Sequence, residues 1–143
     1  MMVIKKLTKE YLNNNIDDFL DIIQDGYNEY WNIEHFLFDL PDKWETSIYI
    51  EVNSQLTAFI ISSKKKNTFH IHKFFVHKDY RSNGLGHRLL NEYEKLIRSR
   101  KELKILSLKV YKKNKRAILF YNKNGFITET NENELLILKK ELE

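Results

Sequence analysis

Cysteine is absent from this 143-residue chain, which excludes disulfides, thiolate zinc sites and a cysteine nucleophile. Proline occurs once, at Pro41, and no Gly/Ser-rich or Pro-rich tract interrupts the sequence, so one domain over residues 1–143 is expected. No apolar run approaches the ~20 residues of a membrane span, and "MMVIKKLTKEYL" lacks the apolar centre of a secretion signal. A cytoplasmic protein with no membrane partner is expected. Neither sign of charge dominates: 24 Lys and Arg against 20 Asp and Glu leave +4, too little to imply nucleic acid but suited to a small polyanionic ligand. Apolar residues make up 42% and aromatics 13%, the composition of a packed globular chain.

Residues 3–7 read as a first strand. From Asn15, a candidate helix cap, Ile16, Phe19, Leu20, Ile23, Tyr27, Tyr30 and Trp31 recur at helical spacing, with Asp17 and Asp18 favoured by the dipole of the first turn. Gly26 is placed to split that helix and Pro41 to end the helical region. Residues 47–52 and 55–62 form a hairpin about Asn53 and Ser54, and the polar link "SKKKN" leads to a third strand over 68–77, where alternation falters at Lys73, Phe74 and Phe75 as at a bulge. A helix from Leu85 to about Arg100, a strand over 103–111, a helix capped by Asn114 and closed by Gly125, and a final hairpin follow. The strand–helix–strand in the middle is a right-handed crossover, so those two strands lie parallel in an otherwise mostly antiparallel sheet.

Glycine is scarce, four in all, and two of them stand in "DYRSNGLGHRLL" (79–90) between a strand and a helix. Such a turn aims several backbone N–H groups one way with a helix dipole behind them, an anion site, and glycine lets a phosphate approach the backbone. The dinucleotide fingerprint fails because Leu89 stands where its third glycine belongs, and the nucleotide-triphosphate loop fails for want of Gly-Lys-Ser/Thr.

The segment "VHKDYRSNGLGHRLL" resembles the acyl-CoA-binding motif of the GCN5-related N-acetyltransferase (GNAT) superfamily, Arg or Gln, two residues, Gly, one residue, Gly or Ala; Arg81, Gly84 and Gly86 fill it. "VYKKNKRAILFYNKNGF" (110–126) is similar to the family's second signature through Asn114, Ala117, Tyr121, Gly125 and Phe126. The resemblance is specific over residues 68–126, and the N-terminal part agrees only in its order of elements. It implies a mixed, mostly antiparallel α/β sheet of about seven strands, with a splayed central parallel pair and helices on both faces.

By position, the resemblance implies that Arg81, Ser82, Asn83, Gly84, Leu85, Gly86, His87 and Arg88 line a CoA pyrophosphate site. Phe74, Phe75 and Val76 are expected to meet the pantetheine arm through their backbone, and Asn114 to cap its helix and reach the same arm. "KKNKR" (112–116) is either a 3′-phosphate contact or a solvated cluster. Tyr121 matches the family's acid, with a phenol near pKa ~10 able to protonate a departing thiolate. His70 and His72 share a strand face and are the candidate bases for the amine, with water as the alternative. Glu29, Glu34, Asp39 and Glu45 lie near enough in sequence to attract a cationic acceptor. The activity implied is transfer of the acetyl group of acetyl-CoA to a primary amine, of a small molecule such as an amino sugar, polyamine, amino acid or antibiotic. A protein or peptide acceptor is the alternative, and a non-enzymatic CoA-binding or nucleic-acid-binding module is the third reading. No metal is called for, and a monomer or a homodimer is equally compatible with the sequence.

Overall fold

The computed structural model describes residues 1–24, 26, 30–101 and 104–143. Tyr27 and Leu103, each placed in an element above, lie outside these residues. The chain runs β1 (Met2–Lys6), α1 (Lys9–Asn14), α2 (Ile16–Ile23), α3 (Ile33–Leu37), α4 (Lys43–Thr46), β2 (Ile48–Val52), β3 (Gln55–Lys65), β4 (Thr68–Val76), α5 (Leu85–Arg98), β5 (Ile105–Tyr111), α6 (Lys115–Lys123), β6 (Ile127–Glu132) and β7 (Leu135–Glu141). A 3-10 turn, Lys78–Tyr80, joins β4 to the loop before α5.

The strands form one seven-stranded sheet in the order β1-β2-β3-β4-β5-β7-β6. All pairings are antiparallel except β4 with β5. The mixed sheet with a parallel central pair is therefore as the sequence indicates. Asn53 and Ser54 both hold positive φ, 50° and 67°, the geometry of a two-residue hairpin turn matched to strand twist.

The N-terminal third departs from the helix start expected at Asn15, because an earlier helix precedes it. Thr8 accepts a hydrogen bond from Tyr11 N at 3.0 Å and starts α1. Asn15 makes no side-chain cap for α2. Its Nδ2 donates instead to Tyr11 O at 2.9 Å and closes α1. Tyr30 and Trp31 fall outside any helix. Beyond Pro41 the chain makes the extra turn α4, whose Lys43 is fully buried and donates to Phe36 O at 2.5 Å and Phe38 O at 2.7 Å. These are carbonyls at the end of α3 that would otherwise lack partners. Lys64 and Lys65 extend β3, leaving Lys66 in the turn with φ 57°.

Each face of the sheet carries its own core. Leu89, Leu90, Tyr93 and Ile97 of α5 and Tyr121 of α6 pack on one face with Phe69, Ile71, Leu106 and Leu108. Leu12, Phe19, Ile22, Ile23 and Phe36 cover the other with Phe59, Ile61 and Phe75. Burying a large apolar side chain is worth ~1.5–3 kcal/mol, so two filled faces hold the sheet as a rigid frame. Lys140 ties the helices of the first face together, donating to Glu94 Oε2 on α5 at 2.9 Å and to Asn124 O at the end of α6 at 2.7 Å.

Candidate functional site

Parallel pairing between β4 and β5 is confined to Phe69–Ile71 against Leu106–Leu108, although β4 continues to Val76 and β5 to Tyr111. The cause lies one residue further on. Ile61 pairs with Lys73 but Ser62 with Ile71, so His72 is the extra residue of a bulge. A bulge bends and twists its strand, and here it carries β4 away from β5. It falls one residue before the Lys73–Phe75 stretch where the sequence suggested it, and His72 is pinned there by a 2.6 Å bond between its Nε2 and Ser63 Oγ.

Beyond the bulge, His77 N donates to Thr57 O of β3 at 2.7 Å. Backbone groups alternate in direction along a strand, so those of Phe74 and Val76 face the gap. Arg81 Nε donates to Val76 O at 3.0 Å and braces this open strand end. The phase change also puts Phe74 and Val76 against the α5 core and Phe75 in the opposite one.

The turn before α5 has an open helix start. Ser82 and Gly84 hold positive φ, 69° and 77°, and α5 has neither a side-chain cap nor an acidic residue in its first turn. Its first N–H groups have no intrahelical partners. An added Cβ at Gly84 would meet nothing within 4 Å, so glycine serves there for its φ. At Gly86 a Cβ would point between the Phe120 ring at 3.5 Å and Val76 Cγ2 at 3.6 Å.

A cavity of about 400 Å³ opens at this turn and runs into the gap between the strands. Of the residues singled out in the two motifs and the strand before them, Phe74, Phe75, Val76, Arg81, Ser82, Gly84, Leu85, Gly86, His87, Asn114, Ala117 and Tyr121 line it. Asn83 and Arg88 are exposed and are not part of its wall. Arg116 is the one member of "KKNKR" besides Asn114 that lines it. Asn114 caps α6, its Oδ1 accepting from Ala117 N at 3.2 Å. His87 Nδ1 lies 2.8 Å from Asn124 Oδ1 and ties the two cavity helices at their rim. Tyr121 is 8% exposed, with Phe126 at 5.4 Å and Phe74 at 6.1 Å between ring centroids.

Gly26, Tyr80, Lys109, Val110 and Phe120 also line the cavity, and the sequence reading missed them as wall residues. Phe120 and Val110 adjoin motif residues. Gly26 carries no local signal: a Cβ there would lie 2.8 Å from Phe75 Cζ, a contact between distant segments. Gly26 and Lys109 belong to the face opposite α5, so the cavity passes through the sheet.

On that second face His70 and His72 stand together, their rings 4.8 Å apart edge to face. Neither lines the cavity. His70 Nδ1 is 2.9 Å from Ser107 Oγ on β5. Trp31 lies 6.0 Å from the His72 ring, with Lys43 Nζ and Lys73 Nζ over its own ring at 5.6 and 5.2 Å. Burial, then the neighbouring His72, Lys65 and Lys109, push His70 down to about 3. Burial, then Lys43, Lys65 and Lys73, push His72 down to about 4. Both rings are neutral at physiological pH, able to accept a proton but weak as bases.

An acid lability follows. Between pH ~6.5 and ~4 the unfolded imidazoles bind protons that the folded ones refuse, so stability falls as pH falls, by at most ~1.4 kcal/mol per pH unit for each histidine. Urea midpoints taken from pH 7 to 4.5 should drop more steeply for the wild type than for a His70→Gln, His72→Gln variant; parallel curves would contradict the burial.

The acidic residues proposed to draw in a cation do not converge here. Asp39 is held by Lys9 at 3.2 Å and by Trp44 Nε1 at 2.8 Å, and these bonds lower its pKa. Glu34 and Glu45 are exposed, and Glu29 lies outside the described residues. The groups acting on the histidines are cationic.

Residues 16–126 match the family model described as the Acetyltransferase (GNAT) family. An uncharacterized N-acetyltransferase of Methanocaldococcus jannaschii is 29% identical over 146 aligned positions, covering 87% of this chain and 64% of that protein, so the chain spans less than two thirds of this relative's length. The fold matches that of Ard1 from Thermoplasma volcanium with a TM-score of 0.84 at 24% identity, over 99% of this chain and 97% of that one. It also matches the PaiA N-acetyltransferase of Thermoplasma acidophilum in complex with coenzyme A, with a TM-score of 0.77 at 20% identity over 99% of each chain.

Proposed function

The chain belongs to the GNAT acetyltransferase family, and on that premise we propose that it transfers the acetyl group of acetyl-CoA directly to a primary amine of a small molecule. The observation that carries this reading is the cavity that begins at an uncapped helix N-terminus, passes Tyr121 and crosses the sheet where β4 and β5 part. In the reading, the N–H groups of the turn and of the first residues of α5, with Arg81 and Arg116, hold the pyrophosphate. The cleft-facing backbone of Phe74 and Val76 pairs with the pantetheine amides as a strand edge pairs with a peptide. An N–H in the same stretch steadies the oxygen of the thioester carbonyl as the amine attacks it.

The amine nitrogen bonds to the carbonyl carbon, the carbon–sulfur bond breaks, and the thiolate takes its proton from the Tyr121 hydroxyl. The amine's proton leaves toward the second face, where His70 and His72, which do not line the cavity, accept it through water. Neutral at pH 7, they hold the lone pair this needs, and their low basicity keeps them from being protonated in advance. Direct transfer is consistent with a chain that has no cysteine to carry an acyl group.

Thiol reagents would report released CoA without protein background, so an amine panel reads the activity directly. In the same assay the His70→Gln, His72→Gln variant should lose ~10²-fold in turnover and depend more steeply on pH as hydroxide or bulk water replaces the imidazoles. An unchanged rate and profile would leave the amine's proton to water alone.

A further inference from the structure

We infer that the acceptor is a small amine bearing a carboxylate close to its amino group, and that Lys109 is the residue that recognises the carboxylate. This narrows the acceptor within the function proposed above and rests on that reading. Lys109 follows Ser107 by two positions on a strand whose register with β7 is unbroken from Ile105 to Tyr111. It therefore shares the face of Ser107, whose hydroxyl touches His70, and points away from Leu108 and Val110 in the α5 core. It lines the cavity where the cavity crosses the sheet, it is exposed, and its ammonium has no hydrogen-bond or ion-pair partner among the described residues. A lone ammonium beside the candidate bases is a recognition group without a partner.

Its surroundings favour an anion. Lys43, Lys65 and Lys73 act on the histidines from the same side of the sheet. Among the described residues Glu129 pairs with Lys139 at 3.0 Å, and Asp39 with Lys9. A polyamine would add charge to a site already positive, whereas a carboxylate relieves the repulsion. Binding it would also oppose the influence of Lys109 on His70 and strengthen that base. The substrate's own anion then helps remove the proton from its amine. An α-amino acid has the required groups, an amine and a carboxylate on one carbon.

The test compares α-amino acids with their own carboxamides, and both with spermidine, by CoA release at saturating acetyl-CoA, in the wild type and in Lys109→Ala and Lys109→Glu. The carboxamides have the more fully deprotonated amines, so free-amine supply works against the expected result. The wild type should prefer each acid over its carboxamide by about tenfold in kcat/KM, the scale of one hydrogen-bonded charge. Lys109→Ala should bring that ratio near one by raising the acid's KM, and Lys109→Glu should move the preference toward spermidine. Equal or better use of carboxamides or spermidine by the wild type would overturn the inference while leaving the transferase reading standing. So would a Lys109→Ala variant that keeps the ratio and raises the KM for acetyl-CoA, which would assign Lys109 to the donor. Acetyl-CoA binding with no release for any amine would remove both readings.

Discussion

Replacing Tyr121 with Phe should lower kcat by ~10²-fold or more, the scale of a positioned general acid, and leave the dissociation constant for acetyl-CoA within about twofold. The substitution removes one oxygen from a side chain that is 8% exposed, on the wall of the cavity and boxed by Phe74, Phe120 and Phe126. Ring packing therefore survives, and so does the turn before α5, which belongs to other residues. What is lost is the proton for the leaving thiolate. The Tyr121 hydroxyl is the donor placed on the cavity wall to supply that proton as the carbon–sulfur bond breaks. A purely structural tyrosine would behave otherwise, with a lower melting temperature and normal turnover. Unchanged kcat in a folded variant would remove the acid role.

Both motifs were legible in the sequence because each is local. A glycine turn between a strand and a helix, and an Asn-capped helix closed by Gly125 at φ 92°, are set by residues close together in the chain, and the cavity lies between them. The succession of elements followed from alternation and helical spacing, and the parallel pair from the single crossover. Less legible was whatever depends on contacts between distant segments. The bulge sits at His72 because its ring bonds to Ser63 across the hairpin, a preference that alternation within β4 does not display. The helix expected to start at Asn15 is preceded by a separate one, α1, because Thr8 caps an earlier start and Asn15 closes that first helix. Lys109 read as an ordinary polar position of an alternating strand. Only the parting of β4 from β5 gives it the cavity on one side and the histidines on the other.

The second large effect concerns the donor. In the account above the start of α5 is a phosphate cradle, and Gly86 is the point at which a side chain would enter it. Its Cβ direction lies between Phe120 and Val76, both cavity residues, at distances of ordinary contact. Gly86→Ala should therefore fold, helped by the higher helix propensity of alanine, and serves as the control. Gly86→Glu extends from the same position and places a carboxylate where the pyrophosphate belongs. Two like charges ~4 Å apart repel by about 1 kcal/mol in water and about 4 kcal/mol at a partly screened protein surface, a loss of affinity between about fivefold and about a thousandfold. The negative group also takes over the helix N–H donors that the ligand would use.

The measurement that tests the central claim most directly is a calorimetric titration of acetyl-CoA into the wild type, Gly86→Ala and Gly86→Glu proteins. One-to-one micromolar binding is expected for the wild type, retained by Gly86→Ala and undetectable for Gly86→Glu with its fold intact. A folded wild type that takes up no acetyl-CoA, or a Gly86→Glu variant that binds as tightly as the wild type, would mean that the turn only starts a helix, and the donor site assigned here would be contradicted.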